Sequence, residues 1–299
     1  MNHFKADPVP NYIGDLGEGI LWDERTSRLI WVDVFARRIH YLAPKTGEIV
    51  GRSFTSILTS IAKKWGGGYV VAAGDRLLEL DGDLREVRQI SLQMGNENVR
   101  TNDGNVDPNG DYWIGSMAYD AKPNQGNLKW ISSNYDENIF LKDVTIANGI
   151  DWSPDGEIMY FIDTPKRQIG RFNWKSKDKS KESARESELK AIDLTQFAGV
   201  PDGMCVDKDG GLWVAFWGDG KIRNFSPEGD LIGQVIIPAS LVTNCAFGGE
   251  DLSTLYITTA NSSYESSIEV AEPLSGSLFQ VSVNASGRAQ NDFGKQSSF

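Results

Sequence analysis

Histidine, cysteine, basic charge and long apolar runs are what this sequence has least of. Its 299 residues hold two histidines, His3 and His40, and neither leads an apolar strand-like run. A histidine-bound zinc centre needs several imidazoles, and a Ser-His-Asp triad needs one beside its nucleophile, so both are poorly supported. Two cysteines, Cys205 and Cys245, are too few for a disulfide framework and lie in no CxxC. They read as small apolar groups packed near strand starts, and a cytoplasmic protein is expected. No run approaches the roughly 18 apolar residues of a membrane span, and "MNHFKADPVPNYIG" has no apolar stretch of a secretory signal. Thirty Lys and Arg against 41 Asp and Glu give a net charge of −11. Nucleic-acid partners need a basic face and are therefore not expected. An acidic surface is compatible with cation binding.

Apolar and aromatic residues are not in deficit. At 40% hydrophobic and 10% aromatic, the chain has ample material for a packed core. That material is arranged in repeats. A short apolar strand, a tight turn, an aromatic-rich strand and a more polar strand recur in "GILWDERTSRLIWVDVFARRIHYLAPKTGEIV" from Gly19 and "GIDWSPDGEIMYFIDTPKRQIGRFNW" from Gly149. The unit returns in "GMCVDKDGGLWVAFWGDGKIRNFSPEGDLIGQVIIP" from Gly203. Weaker copies begin at Ser60, Gly104 and Cys245. "PNGD", "SPDG" and "KDGG" supply the backbone geometry that joins antiparallel strands within a few residues. The second strands, such as "RLIWVD" and "LWVAFW", carry the β-branched and aromatic residues that fit a buried pleated surface.

The residues leading the first strands are Glu18, Thr59, Asn102, Asn148, Asp202 and Asn244, spaced 41 to 54 residues apart. Six four-stranded units at that period predict an all-β, six-bladed β-propeller in a single domain spanning 1–299. Residues 1–13 and about 284–299 are expected at its periphery. The charged stretch "KSKDKSKESARESELK", residues 175–190, has no buriable face and reads as a solvated loop in the fourth blade. First strands of propeller blades line a central channel, so Glu18, Asn102, Asn148 and Asp202 are expected to converge at one mouth. Singly, such residues would only cap turns. Together they make an oxygen-only environment suited to a hard divalent cation. Arg100 could donate there to a polyhydroxylated or anionic substrate, or could pair with Asp103. Trp217 lies in a loop that could approach the same mouth.

Five stretches carry a resemblance. "LGEGILWDERTSRLIWVD", "RTNDGNVDPNGDYWIGSM", "ANGIDWSPDGEIMYFID", "VPDGMCVDKDGGLWVAFWGDG" and "VTNCAFGGEDLSTLYIT" resemble, in order, the motifs of the gluconolactonase, regucalcin and luciferin-regenerating enzyme family. The resemblance runs from about residue 14 to 283. It implies one divalent metal held by Glu18, Asn148 and Asp202, with Arg100, Asn102 and Asp120 binding substrate. Calcium is the metal expected, with Zn²⁺, Mn²⁺, Mg²⁺ or Fe²⁺ as alternatives. One departure stands out: the family's proline two residues after the glutamate is Ile20 here.

The function these readings imply is metal-dependent hydrolysis of a sugar lactone to its aldonic acid, with Asp202 as general base toward water. The alternatives are a calcium- or sugar-binding regulatory propeller without turnover, and a promiscuous esterase or organophosphate hydrolase.

Overall fold

The computed structural model describes residues 1–174, 188–264 and 272–295. Its strands form six sheets in which consecutive strands pair antiparallel, and the fold is a six-bladed β-propeller. Blade I spans residues 17–53, blade II 60–91, blade III 99–144 and blade IV 147–193. Blade V spans 200–236 and blade VI 242–282. The first two strands of a blade are largely buried, as where blades pack on one another within a unit. Arg28–Asp33 and Tyr112–Ala118 are buried almost throughout, whereas the outermost strand Glu86–Ser91 faces solvent along most of its length.

The described chain divides into two compact units. The first combines Met1–Ile57 with Leu194–Ala289 and so contains blades I, V and VI. Blade VI has three strands of its own and takes Asp7–Pro8 as its fourth, paired with Phe279–Ser282. Blade V gains a fifth strand, Asn2–Lys5, running parallel to Leu231–Ile236. The N-terminal residues expected at the periphery are therefore outermost strands, and His3 lies in one of them. The unit's core is aromatic: Trp22 of blade I stacks on Tyr256 of blade VI at 6.4 Å, and Trp213 of blade V meets Phe247 edge-on at 5.6 Å. Such pairs add roughly 0.5–1.5 kcal/mol each beyond their buried area.

The second unit combines Leu58–Asp193 with the chain from Gln290 onward and contains blades II, III and IV. Trp113 and Trp152 pack against each other across blades III and IV, with Phe140, Phe172 and Trp174 around them. The C-terminal residues described here lie along blades II and III: Phe293 is buried and hydrogen-bonds through its backbone to Lys63 and Trp65. Of the charged stretch 175–190, residues 175–187 fall outside the described residues, and Glu188–Lys190 begin the outer strand of blade IV.

The turns behave as their composition requires. Gly110, Gly156 and Gly210 all take positive φ. A further repeat is hidden in two of them. Asp107 accepts from the backbone N–H groups of Asn109 and Asp111 and from the Trp113 indole, and Asp207 does the same for Asp209, Gly211 and Trp213. One carboxylate thus fixes the turn and orients the buried tryptophan six residues on. No helix among the described residues is long and apolar enough to cross a membrane.

Candidate functional site

The inner strands share an irregularity at the positions singled out from the sequence. Pairing with the second strand slips between Glu18 and Leu21, Thr101 and Gly104, Ala147 and Ile150, Pro201 and Met204, and Val242 and Asn244. A β-bulge of this kind releases a residue from the ladder and re-aims its side chain. Blade II is the exception: Ser60–Lys63 pairs regularly, and the preceding Thr59 turns its hydroxyl onto Thr101 at 2.9 Å. In blades III, IV and V the released residues include Asn102, Asn148 and Asp202. In blades I and VI the slip falls on Gly19 and Ile20 and on Thr243, beside Glu18 and Asn244, which stay paired with Val32 and Thr258.

In the second unit, three expected residues meet. Arg100 Nη1 donates to Asn102 Oδ1 at 2.7 Å and to the carbonyl of Thr101 at 2.9 Å. Asn102 Nδ2 donates to the carbonyl of Ala147 and to Asn148 Oδ1, both at 2.8 Å. Asn148 Nδ2 in turn donates to Thr164 Oγ1 at 2.8 Å. The direction of each bond fixes both amides: the oxygen of Asn148 faces away from Thr164, and one of its two lone pairs is taken by Asn102. A divalent cation could use the other, since amide oxygens are ordinary ligands of hard ions. Both N–H donors of Asn102 are committed, so this side chain positions Asn148 and can offer a substrate only its carbonyl oxygen. Asp103 accepts from the N–H of Gly104 at 2.8 Å.

In the first unit, Glu18 and the glycine after Asp202 both meet a residue that was only a strand head in the sequence. Asn244 Nδ2 donates to Glu18 Oε2 at 3.0 Å, while Asn244 Oδ1 accepts from the N–H of Cys245 at 2.9 Å. Gly203, next to Asp202, presses on the same amide. A Cβ placed there would come within 2.3 Å of Asn244 Cγ. Asp202 and Asn244 are both buried. Ile20, in place of the family's proline, is buried in the cluster of Tyr12, Trp22 and Trp31. Core packing thus anchors the chain just beyond Glu18.

Two aspartates that no motif singled out hold the approach to these strand heads. Asp33 accepts from the N–H groups of Asp15 and Leu16, and Asp163 accepts from those of Thr145 and Ile146. The signal was present as "WVD" and "FID", each ending a second strand. Asp120 lies on an exposed turn after Ala118, where it pairs with Lys122 at 2.8 Å and accepts from Asn98 at 3.1 Å. The Lys122 ammonium holds its carboxyl below the usual carboxylate range. Trp217 ends the second strand of blade V and bridges to Leu241.

Among the described residues, no three His, Cys, Asp or Glu side chains gather as a metal cluster. The expected ligand set differs in kind, with two carboxylates and one amide. Its chemistry, oxygen donors with an amide oriented by its own hydrogen bonds, suits a hard divalent ion.

Residues 16–261 match the family model described as the SMP-30/Gluconolactonase/LRE-like region. The chain belongs to this family. Among its gluconolactonase-like relatives, the 6-deoxy-6-sulfogluconolactonase of Pseudomonas putida is 34% identical over 278 residues, covering 92% of this chain and 94% of the relative. Regucalcin of Xenopus laevis is 31% identical over 288 residues, covering 94% and 95%. The crystal structure of a calcium-binding protein, regucalcin from Agrobacterium tumefaciens, superposes with a TM-score of 0.87 at 25% identity, covering 98% and 99% of the two chains.

Proposed function

We propose that this protein is a lactonase that opens a sugar lactone to its aldonic acid with the help of one divalent metal. The observation that carries the reading is the directed hydrogen-bond chain from Arg100 through Asn102 to Asn148 and Thr164, in a member of a family with lactonase-named relatives. Glu18, Asn148 and Asp202 are the residues proposed to hold the metal, with calcium the ion favoured by their oxygen donors. A divalent ion there supplies Lewis-acid polarisation of the lactone carbonyl and of water. Asp202 accepts the proton of the attacking water as its oxygen adds to the carbonyl carbon. Arg100, with five N–H donors on a planar fork, orients the ring hydroxyls. Asn102 keeps the oxygen of Asn148 aimed and accepts from a substrate hydroxyl. Asp120 is proposed to contact the substrate from its exposed turn.

A non-catalytic calcium-binding role is the competing reading, favoured by the calcium-binding relative of known structure. Acid release on a panel of aldonolactones, measured with Ca²⁺, Mn²⁺, Zn²⁺ and Mg²⁺ in turn, separates the two. Asp202→Ala and Asn148→Ala are each expected to remove most turnover and weaken metal binding. Full turnover by either variant, or by chelated protein, refutes the metal mechanism. Metal binding without acid release on any lactone favours the regulatory role.

A further inference from the structure

The two cysteines come from strands 40 residues apart, yet their sulfurs lie 3.6 Å from each other. Cys205 is on the inner strand of blade V and is partly exposed; Cys245 is on the inner strand of blade VI and is buried. Neither is in a disulfide. Two residues before Cys205, Gly203 touches Asn244, the residue immediately before Cys245. The two strands are therefore held together by two successive contacts, Gly203 on Asn244 and Cys205 on Cys245. The first of these fixes the amide that binds Glu18.

We propose that Cys205 and Cys245 form an oxidisable dithiol, a covalent modification site that takes a two-electron oxidant such as hydrogen peroxide. Partly exposed Cys205 is the sulfur that a peroxide reaches first. Its thiolate takes one peroxide oxygen as the O–O bond breaks, giving a sulfenic acid and releasing hydroxide, which the thiol proton neutralises to water. Cys245 then attacks that sulfur, the S–O bond breaks, and a second water leaves. Two thiols and one peroxide become one disulfide and two waters. The sulfurs must close by about 1.5 Å to reach the roughly 2.05 Å of a disulfide.

That closure has a consequence for the neighbouring contact. Gly203 and Asn244 are already so close that no side chain fits at Gly203. Any strand movement that accompanies the closure displaces the Asn244 amide, and Glu18 then loses one of the donors to its Oε2, keeping the Gly19 N–H. The disulfide stands on the sulfur geometry alone, whereas its effect on metal binding rests on the ligand set proposed above.

The test uses the full-length reduced protein and stoichiometric hydrogen peroxide. Titratable thiols under denaturing conditions should fall from two to none, the mass should drop by two hydrogens, and a peptide map should link Cys205 to Cys245. Calcium affinity, read by calorimetry without any substrate, should weaken by about 10- to 100-fold, the range for disturbing a ligand's outer partner. Dithiothreitol should restore it. Cys205→Ser and Cys245→Ala should each form no intramolecular link and keep their calcium affinity under peroxide. Two surviving thiols, or only added oxygen masses, overturn the site. A disulfide with unchanged calcium affinity keeps the site and overturns its coupling to Glu18. Reduced protein that binds no calcium refutes the ligand set instead and leaves the thiol count to decide the site.

Discussion

Replacing Gly203 with alanine tests whether the support of Glu18 depends on a single missing methyl group. A Cβ there meets Asn244 first, at 2.3 Å from Cγ, 2.5 Å from Oδ1 and 2.6 Å from Nδ2. Those contacts lie far inside van der Waals distance, so the amide must swing away. Overpacking of this size costs about 1–3 kcal/mol, and alanine's smaller unfolded-state entropy returns about 0.4–1 kcal/mol. The expected net loss is about 1–2 kcal/mol. Asn244→Ala removes the donor to Glu18 and the acceptor of the Cys245 N–H, at a cost of about 2 kcal/mol for a bond to a charged group. It also removes the three atoms that the new methyl meets first. In the Asn244→Ala background, Gly203→Ala should therefore cost less than about 0.5 kcal/mol, a coupling of about 1–2 kcal/mol in a double-mutant cycle. Urea unfolding of the four chelated proteins supplies the numbers. Equal cost of Gly203→Ala in both backgrounds would show that the methyl strains something other than Asn244, and would refute the argument.

Two further perturbations follow from named contacts. His40 packs between Trp31 and Tyr12, and burial, opposed by Asp33 and reinforced by Arg38, pushes its pKa down to about 4. The unfolded chain takes up this proton near pH 6.5 and the folded one only near pH 4. Stability should thus fall by up to about 3 kcal/mol as pH drops through that window; His40→Phe should flatten this part of the melting-temperature profile, and an unchanged slope counts against it. Asp155 accepts from the Ser153 hydroxyl at 2.6 Å and the Glu157 N–H at 3.0 Å. Asp155→Ala should cost about 0.5–2 kcal/mol in thermal or urea unfolding with calcium affinity unchanged, and a loss of calcium affinity would contradict the division of that loop into turn and site.

Much of the fold was legible because each blade carries its own turn chemistry. "PNGD", "SPDG" and "KDGG" mark hairpins wherever they occur, and the aromatic second strands follow at a fixed distance. The strand heads were legible for the same reason, since alignment of the repeats brings Glu18, Asn148 and Asp202 into register. The bulges were not. An extra residue in a ladder depends on the partner strand, and nothing in "ANGID" alone distinguishes a bulged pairing from a regular one. Asn244 was seen as a strand head but not as the partner of Glu18, because that bond joins residues 226 apart. The strand Asn2–Lys5 was illegible for a different reason. It is mostly exposed, follows no apolar alternation, and exists only because the edge of blade V offers unpaired backbone groups. The cysteines read as core packing, and only the distance between their sulfurs adds chemistry to that role.

The discontinuity of the first unit has a consequence for synthesis. A ribosome releases Glu18 early, together with all of blade I, but the strands that complete this unit follow only after residue 194. Blades II to IV form one uninterrupted stretch and can pair as they emerge. Blade I, with its hydrophobic inner strand, must wait for its packing partner within this unit until blade VI is made. Late, long-separated pairings of this kind slow folding. Of the two acids proposed to hold the metal, the one translated first is thus among the last residues to find its partners.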